Sequence, residues 1–254
     1  MAKVVAVTNQ KGGVGKTTTG INLAASLARA DKRVMLVDLD PKGNATAGSG
    51  VDRTGGATVY QVLLGEVGAA EARVATAAGY DVIPANADLA GAQVELVGVP
   101  GWEHRLAGAL EAVREAYDYI YIDCPPALNM LTVNALVAAD TVMIPMQCEY
   151  FAMEGLSDLV GTIRKVRETL NPRLQIEGLL RTMFDPRNSL AREVSAQLTA
   201  HFGDKVYETI IPRNVRLAEA PSFGRPVIDY DARSKGAEAY RALAGEILNR
   251  DHRA

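Results

Sequence analysis

The chain has 254 residues, 48% of them hydrophobic and 22% charged, with 27 basic against 30 acidic side chains and a net charge of −3. That apolar content and small charge exclude a disordered chain, and the length suffices for a substantial core. Cys124 and Cys148 stand alone, which excludes a disulfide scaffold, and the apolar runs are too short for a membrane span or a secretory leader. A cytoplasmic location is expected.

Taken in chain order, short β-rich apolar runs alternate with longer stretches of helical spacing. The runs are Lys3–Thr8, Arg33–Asp40, Tyr80–Pro84, Tyr117–Asp123, Thr141–Pro145, Ile176–Phe184 and Val206–Ile211. The intervening helices are expected over Lys16–Ala30, Asp88–Val97, Glu103–Ala116, Leu131–Ala138, Ala152–Leu170, Leu190–His201 and Lys235–Arg250. Several runs are apolar almost throughout, as in strands covered on both faces. With no repeat or linker, the pattern predicts one α/β domain over residues 1–254. Its sheet should be doubly wound and mostly parallel, of about seven or eight strands with helices on both faces. In such a sheet the site lies beyond the carboxyl ends of the strands.

Directly after the first run comes Lys11-Gly12-Gly13-Val14-Gly15-Lys16-Thr17-Thr18, opening a helix. Glycines let the backbone N–H groups wrap a phosphate chain, and the helix N-terminus adds partial positive charge. In such a loop Lys16 reaches the β and γ phosphates, and the Thr17 hydroxyl binds Mg²⁺. Gln10 stands where the usual pattern has its first glycine, and Lys11 adds a second lysine at the entry. Folded back on its own nucleotide, Lys11 would duplicate Lys16. Its more useful role is to reach a nucleotide bound by a second subunit.

Two later runs end in carboxylates: Asp38-Leu39-Asp40-Pro41 and Ile122-Asp123-Cys124-Pro125-Pro126. Alternation places Asp38 and Asp40 on one face of their strand. Asp123 suits a second Mg²⁺ contact near Thr17, and Asp40 suits orientation of the attacking water. Asp38 is read as structural.

These blocks, with IPRNVRLAEAPSFGRP (211–226), QCEYFAMEGL (147–156) and TMFD (182–185), closely resemble the ParA/Soj group of chromosome- and plasmid-partitioning ATPases. That group lies within the deviant Walker A superfamily, which also holds MinD and the nitrogenase iron protein. The resemblance implies a P-loop fold, ATP and Mg²⁺ as ligands, and slow ATP hydrolysis stimulated by a ParB-like centromere-binding partner. It also implies a homodimer in the ATP state and nucleoid association through non-specific double-stranded DNA. Lys11 matches the signature lysine that crosses the dimer; Lys16, Thr17, Asp40 and Asp123 match the phosphate lysine, magnesium ligand, hydrolytic aspartate and Walker B aspartate. Pro212 and Asn214 match adenine-pocket positions, and Arg187 and Arg216 match DNA-binding positions. Two residues depart from the pattern. Lys42 replaces the usual glutamine after Asp40-Pro41, where it could slow hydrolysis, pair with Asp40 or sit idle at the surface. Arg181 replaces an apolar residue before Thr182, and either reaches solvent or extends the DNA surface.

The leading expectation is therefore an ATP-driven DNA-binding switch, with no base-reading module apparent. A membrane-cycling ATPase like MinD would need a bulky, basic amphipathic C-terminal helix, whereas Ala242–Ala254 is diluted by small residues, so no membrane partner is expected. An iron–sulfur electron donor would need cluster cysteines, and neither cysteine has that setting. Charge is unevenly shared: residues 1–170 hold 14 basic against 19 acidic side chains, and residues 171–254 hold 13 against 11. The positive share lies with Arg187, Arg213 and Arg216, which predicts weak, salt-sensitive DNA contact.

Overall fold

A computed structural model describes residues 1–252; Arg253 and Ala254, the last two positions of the C-terminal stretch, lie outside the described residues. Seven strands form one sheet: β1 (Lys3–Val7), β2 (Val34–Asp38), β3 (Val74–Ala75), β4 (Asp81–Ile83), β5 (Tyr119–Asp123), β6 (Thr141–Met146) and β7 (Gln175–Arg181), in the spatial order β3-β4-β2-β5-β1-β6-β7. All neighbours pair in parallel except the short β3, which runs antiparallel to β4 at one edge. The helices are α1 (Lys16–Ala28), α2 (Asn44–Gly48), α3 (Val59–Leu64), α4 (Ala69–Ala72), α5 (Leu89–Glu95), α6 (Arg105–Glu111), α7 (Met130–Ala138), α8 (Ala152–Thr169), α9 (Ser189–Phe202), α10 (Val215–Glu219), α11 (Val227–Tyr230) and α12 (Lys235–Asp251).

The central strands β2 and β5 are buried at every position, as their unbroken apolar runs require when both faces are covered. Two cores result. Val4, Ala6, Met35, Val37, Ile120 and Ile122 face one side, and Val5, Val7, Leu36, Tyr119 and Tyr121 face the other. On α8 the expected stripe holds: Leu156, Leu159, Ile163 and Val166 are buried, while Val160 is only partly so. The apolar face of α12 (Tyr240, Leu243, Ala244, Ile247) is consumed in the second core, and the Tyr240 hydroxyl lies 3.1 Å from that of Thr19 on α1. No helix of the described residues is long and apolar enough to cross a membrane.

Three expectations need correction. Val206–Ile211 is no strand; it meets β7 at one isolated bridge, Leu179 with Val206, and through the amides of Tyr207 and Ile211, which donate to the carbonyls of Leu179 (3.1 Å) and Arg181 (2.9 Å). The helix expected over Glu103–Ala116 is shorter, with α6 flanked by 3₁₀ turns at Trp102–His104 and Arg114–Ala116. Arg181 neither reaches solvent nor extends a basic surface. It is 9% exposed, and its guanidinium donates to Ser195 Oγ (2.9 Å) and to the carbonyls of Tyr207 (2.5 Å) and Glu208 (3.2 Å). It thus supplies donors to the segment that fails to form an eighth strand, because a buried carbonyl without a partner is costly.

Replacing Arg181 with alanine should therefore lower the unfolding free energy by about 2–4 kcal/mol. Denaturant titration measures this, and a loss no larger than that of an exposed arginine would contradict the stapling role.

Candidate nucleotide site

The site forms beyond the carboxyl ends of β1, β2 and β5, in the middle of the sheet where the chain's winding changes direction. β1 ends at Val7 and the glycine-rich loop leads into α1. Gly15 caps α1 at φ +89°, in the left-handed region where a side chain would be strained. The Thr182 hydroxyl, just past β7, donates to the Val14 carbonyl at 2.7 Å and holds the loop against the sheet.

A cleft of about 500 Å³ opens at this loop. Gly12, Gly13, Gly15, Lys16, Thr17 and Thr18 line it, with Asp40 and Lys42 beside them. Pro212 and Asn214, from the segment after β7, complete the wall. Asn214 Oδ1 is a buried acceptor with no hydrogen-bond partner, and it lies beside Gly236, where an added Cβ would come within 3.1 Å of it. Val14 is buried, and Lys11 stands outside the cleft.

The two lysines of the loop have opposite settings. Lys16 is 7% exposed and donates to the Lys11 carbonyl at 3.1 Å. Burial pushes its ammonium below the usual lysine range, although Asp123 pulls the other way. Lys11 is half-exposed and pairs with Glu149, which follows β6. Sequence reasoning singled out neither Glu149 nor Thr182, although both lie within the family-like blocks.

Asp38 and Asp123 occupy paired positions at the ends of β2 and β5, and both are fully buried. Burial raises the Asp38 carboxyl to about 6, against hydrogen bonds from the Thr46 hydroxyl (2.7 Å) and amide (2.8 Å). Burial, and then Asp38, push Asp123 well above the ordinary carboxylate range. Asp123 Oδ2 accepts from the Thr17 hydroxyl at 2.7 Å, while its Oδ1 has no partner. A hard-oxygen pair with one orphaned carboxylate oxygen fits Mg²⁺, which takes few protein ligands beside phosphate and water. Among the described residues no three His, Cys, Asp or Glu side chains cluster to hold a metal by themselves.

The placement of Asp40 differs from the sequence expectation. β2 ends at Asp38 and the chain turns, so Asp38 and Asp40 do not share a strand face. The Asp40 amide donates to Asp38 Oδ1 (3.2 Å), and Asp40 lines the cleft while its carboxylate accepts the Lys42 amide (3.0 Å). Arg187 and Arg216 lie outside the cleft and are already paired: Arg187 with Asp185 (2.8 Å), Arg216 with Glu219 (2.8 Å) and Asp231 (3.3 Å). Cys124 and Cys148 are both free and buried.

A family model described as "AAA domain" matches residues 2–176. The structure of cobyrinic acid a,c-diamide synthase from Mycobacterium smegmatis, with bound ADP and magnesium, superposes with a TM-score of 0.86 at 39% identity, covering 98% of this chain and 94% of that one. Fold and site together define a P-loop ATPase. Among curated relatives, chromosome partitioning protein ParA of Caulobacter vibrioides is 54% identical over 98% of this chain and 95% of its own length. Sporulation initiation inhibitor protein Soj of Bacillus subtilis is also 54% identical, over 97% of this chain and 98% of its own. The chain belongs to the ParA/Soj family of partitioning ATPases.

Thr17→Ala should remove the hydrogen bond that holds the buried Asp123 carboxylate and make ADP affinity insensitive to Mg²⁺. Calorimetric titration with and without the metal checks this; an unchanged magnesium dependence would contradict the assignment.

Proposed function

We propose that this partitioning ATPase is a nucleotide-controlled DNA switch: ATP closes a sandwich homodimer, the dimer binds double-stranded DNA without sequence preference, and hydrolysis releases it. The observation that carries this reading is the divergence of the two loop lysines. Lys16 folds into its own loop, and Lys11 stays outside the cleft with its ammonium at the surface. A surface lysine at that position is available to a nucleotide held by a second copy.

Within each subunit, Lys16 neutralises the phosphates, and Thr17 and Asp123 hold Mg²⁺, which when bound screens charge on the phosphate oxygens. Asp40 orients the attacking water, and Pro212 and Asn214 hold the base. Arg187 and Arg216 supply the DNA contact, doubled by dimerisation. A ParB-like protein is the proposed stimulating partner, and the nucleoid the proposed location.

The ion pairs of the arginines sharpen the DNA prediction. Asp185 holds the Arg187 guanidinium through two hydrogen bonds, Nε to Oδ1 (2.9 Å) and Nη2 to Oδ2 (2.8 Å). Asp185→Asn should free this charge and raise ATP-dependent DNA affinity about two- to five-fold, with a steeper salt dependence. Arg216→Ala should weaken the same binding. Co-sedimentation over a salt series measures both, and unchanged binding in the two variants would overturn the arginine assignment.

A further inference from the structure

Lys42 departs from the family pattern, and its surroundings give it a role. Its backbone is pinned at both ends: the amide donates to Asp40 Oδ1 (3.0 Å), and the carbonyl accepts from Arg53 Nη1 (2.9 Å). The next residue, Gly43, sits at φ +62°, where an added Cβ would lie 2.6 Å from the Ala85 carbonyl oxygen. The turn is therefore closely fitted at the place where the Lys42 side chain, itself exposed, leaves it.

That place is the nucleotide cleft, which Lys42 lines together with Lys16, Thr17 and Asp40. Among the described residues no carboxylate forms an ion pair with its ammonium, Asp40 included. Lys42 is also near enough to Lys16 to help lower that ammonium's proton affinity. An unpaired cation beside a second cation is unfavourable until an anion joins them.

We propose that Lys42 is an additional phosphate-binding residue of this site, acting in cis on the terminal phosphate of a nucleoside triphosphate. The inference rests on the nucleotide-site reading above and deepens it. Lys42 is grouped with Asp40 and Lys16, the residues assigned to the attacking water and the outer phosphates, so its charge acts where those phosphates lie. It should therefore distinguish a triphosphate from a diphosphate.

Lys42→Gln isolates the charge, because the backbone amide that serves Asp40 remains. Calorimetric titration with the non-hydrolysable analogue AMPPNP and with ADP, in the presence of Mg²⁺, tests the proposal. AMPPNP affinity should fall about ten-fold, ADP affinity should change less than about two-fold, and Lys42→Arg should restore most of the loss. Equal losses for both nucleotides, or no loss for AMPPNP, would overturn it. Repeating the titrations in a Lys11→Ala chain, which on the reading above lacks the lysine that closes the dimer, separates cis from trans action: the selective loss should persist, and its disappearance would overturn the cis assignment. Failure of the underlying reading is distinguishable, since the unsubstituted protein would then bind neither nucleotide.

Discussion

Two carboxylates buried side by side govern this structure. Asp38 and Asp123 end adjacent parallel strands with no exposure to solvent; burial raises the proton affinity of both, and Asp38 raises that of Asp123 further. Such a pair is tolerable only where neighbouring groups compensate it. Thr46 satisfies Asp38 from α2, while Thr17 and Lys16 approach Asp123 from the start of α1. The groups that make the pair tolerable at Asp123 are those proposed above to hold a magnesium nucleotide. Stability and function thus converge at the carboxyl edge of the sheet.

This arrangement also explains the division between the lysines. Lys16 is buried and feels the attraction of Asp123. Lys11, beyond the end of β1, has no such anchor and finds Glu149 after the neighbouring β6. An exposed ion pair of this kind contributes little stability and is readily exchanged for a stronger anion. Glu149 can therefore hold Lys11 in the separate subunit without preventing its transfer to a phosphate.

Much of this is legible in the sequence. Short apolar-rich runs mark six of the seven strands, and the glycine loop with its Lys-Thr-Thr ending locates the phosphate site. The two-residue β3 is too short to carry a periodicity, and Val206–Ile211 mimics a strand because its apolar residues fill the cores without a ladder. Local pattern cannot place Arg181 in the interior, since its partners, Ser195 and the Tyr207 and Glu208 carbonyls, are distant in sequence. For the same reason the pairing of Lys11 with Glu149, and of Arg216 with Asp231, emerges only from the fold.

If Lys11 serves the nucleotide of the opposite subunit, as proposed, mixed dimers reveal it. A Lys11→Ala chain retains Asp40, and an Asp40→Ala chain retains Lys11; each alone should be inactive. Mixed in equal amounts, they should recover about a quarter of the wild-type ATPase rate, because about half the dimers then carry one complete composite site. If Lys11 acted within its own subunit, no site in any dimer would be complete and the mixture would stay inactive.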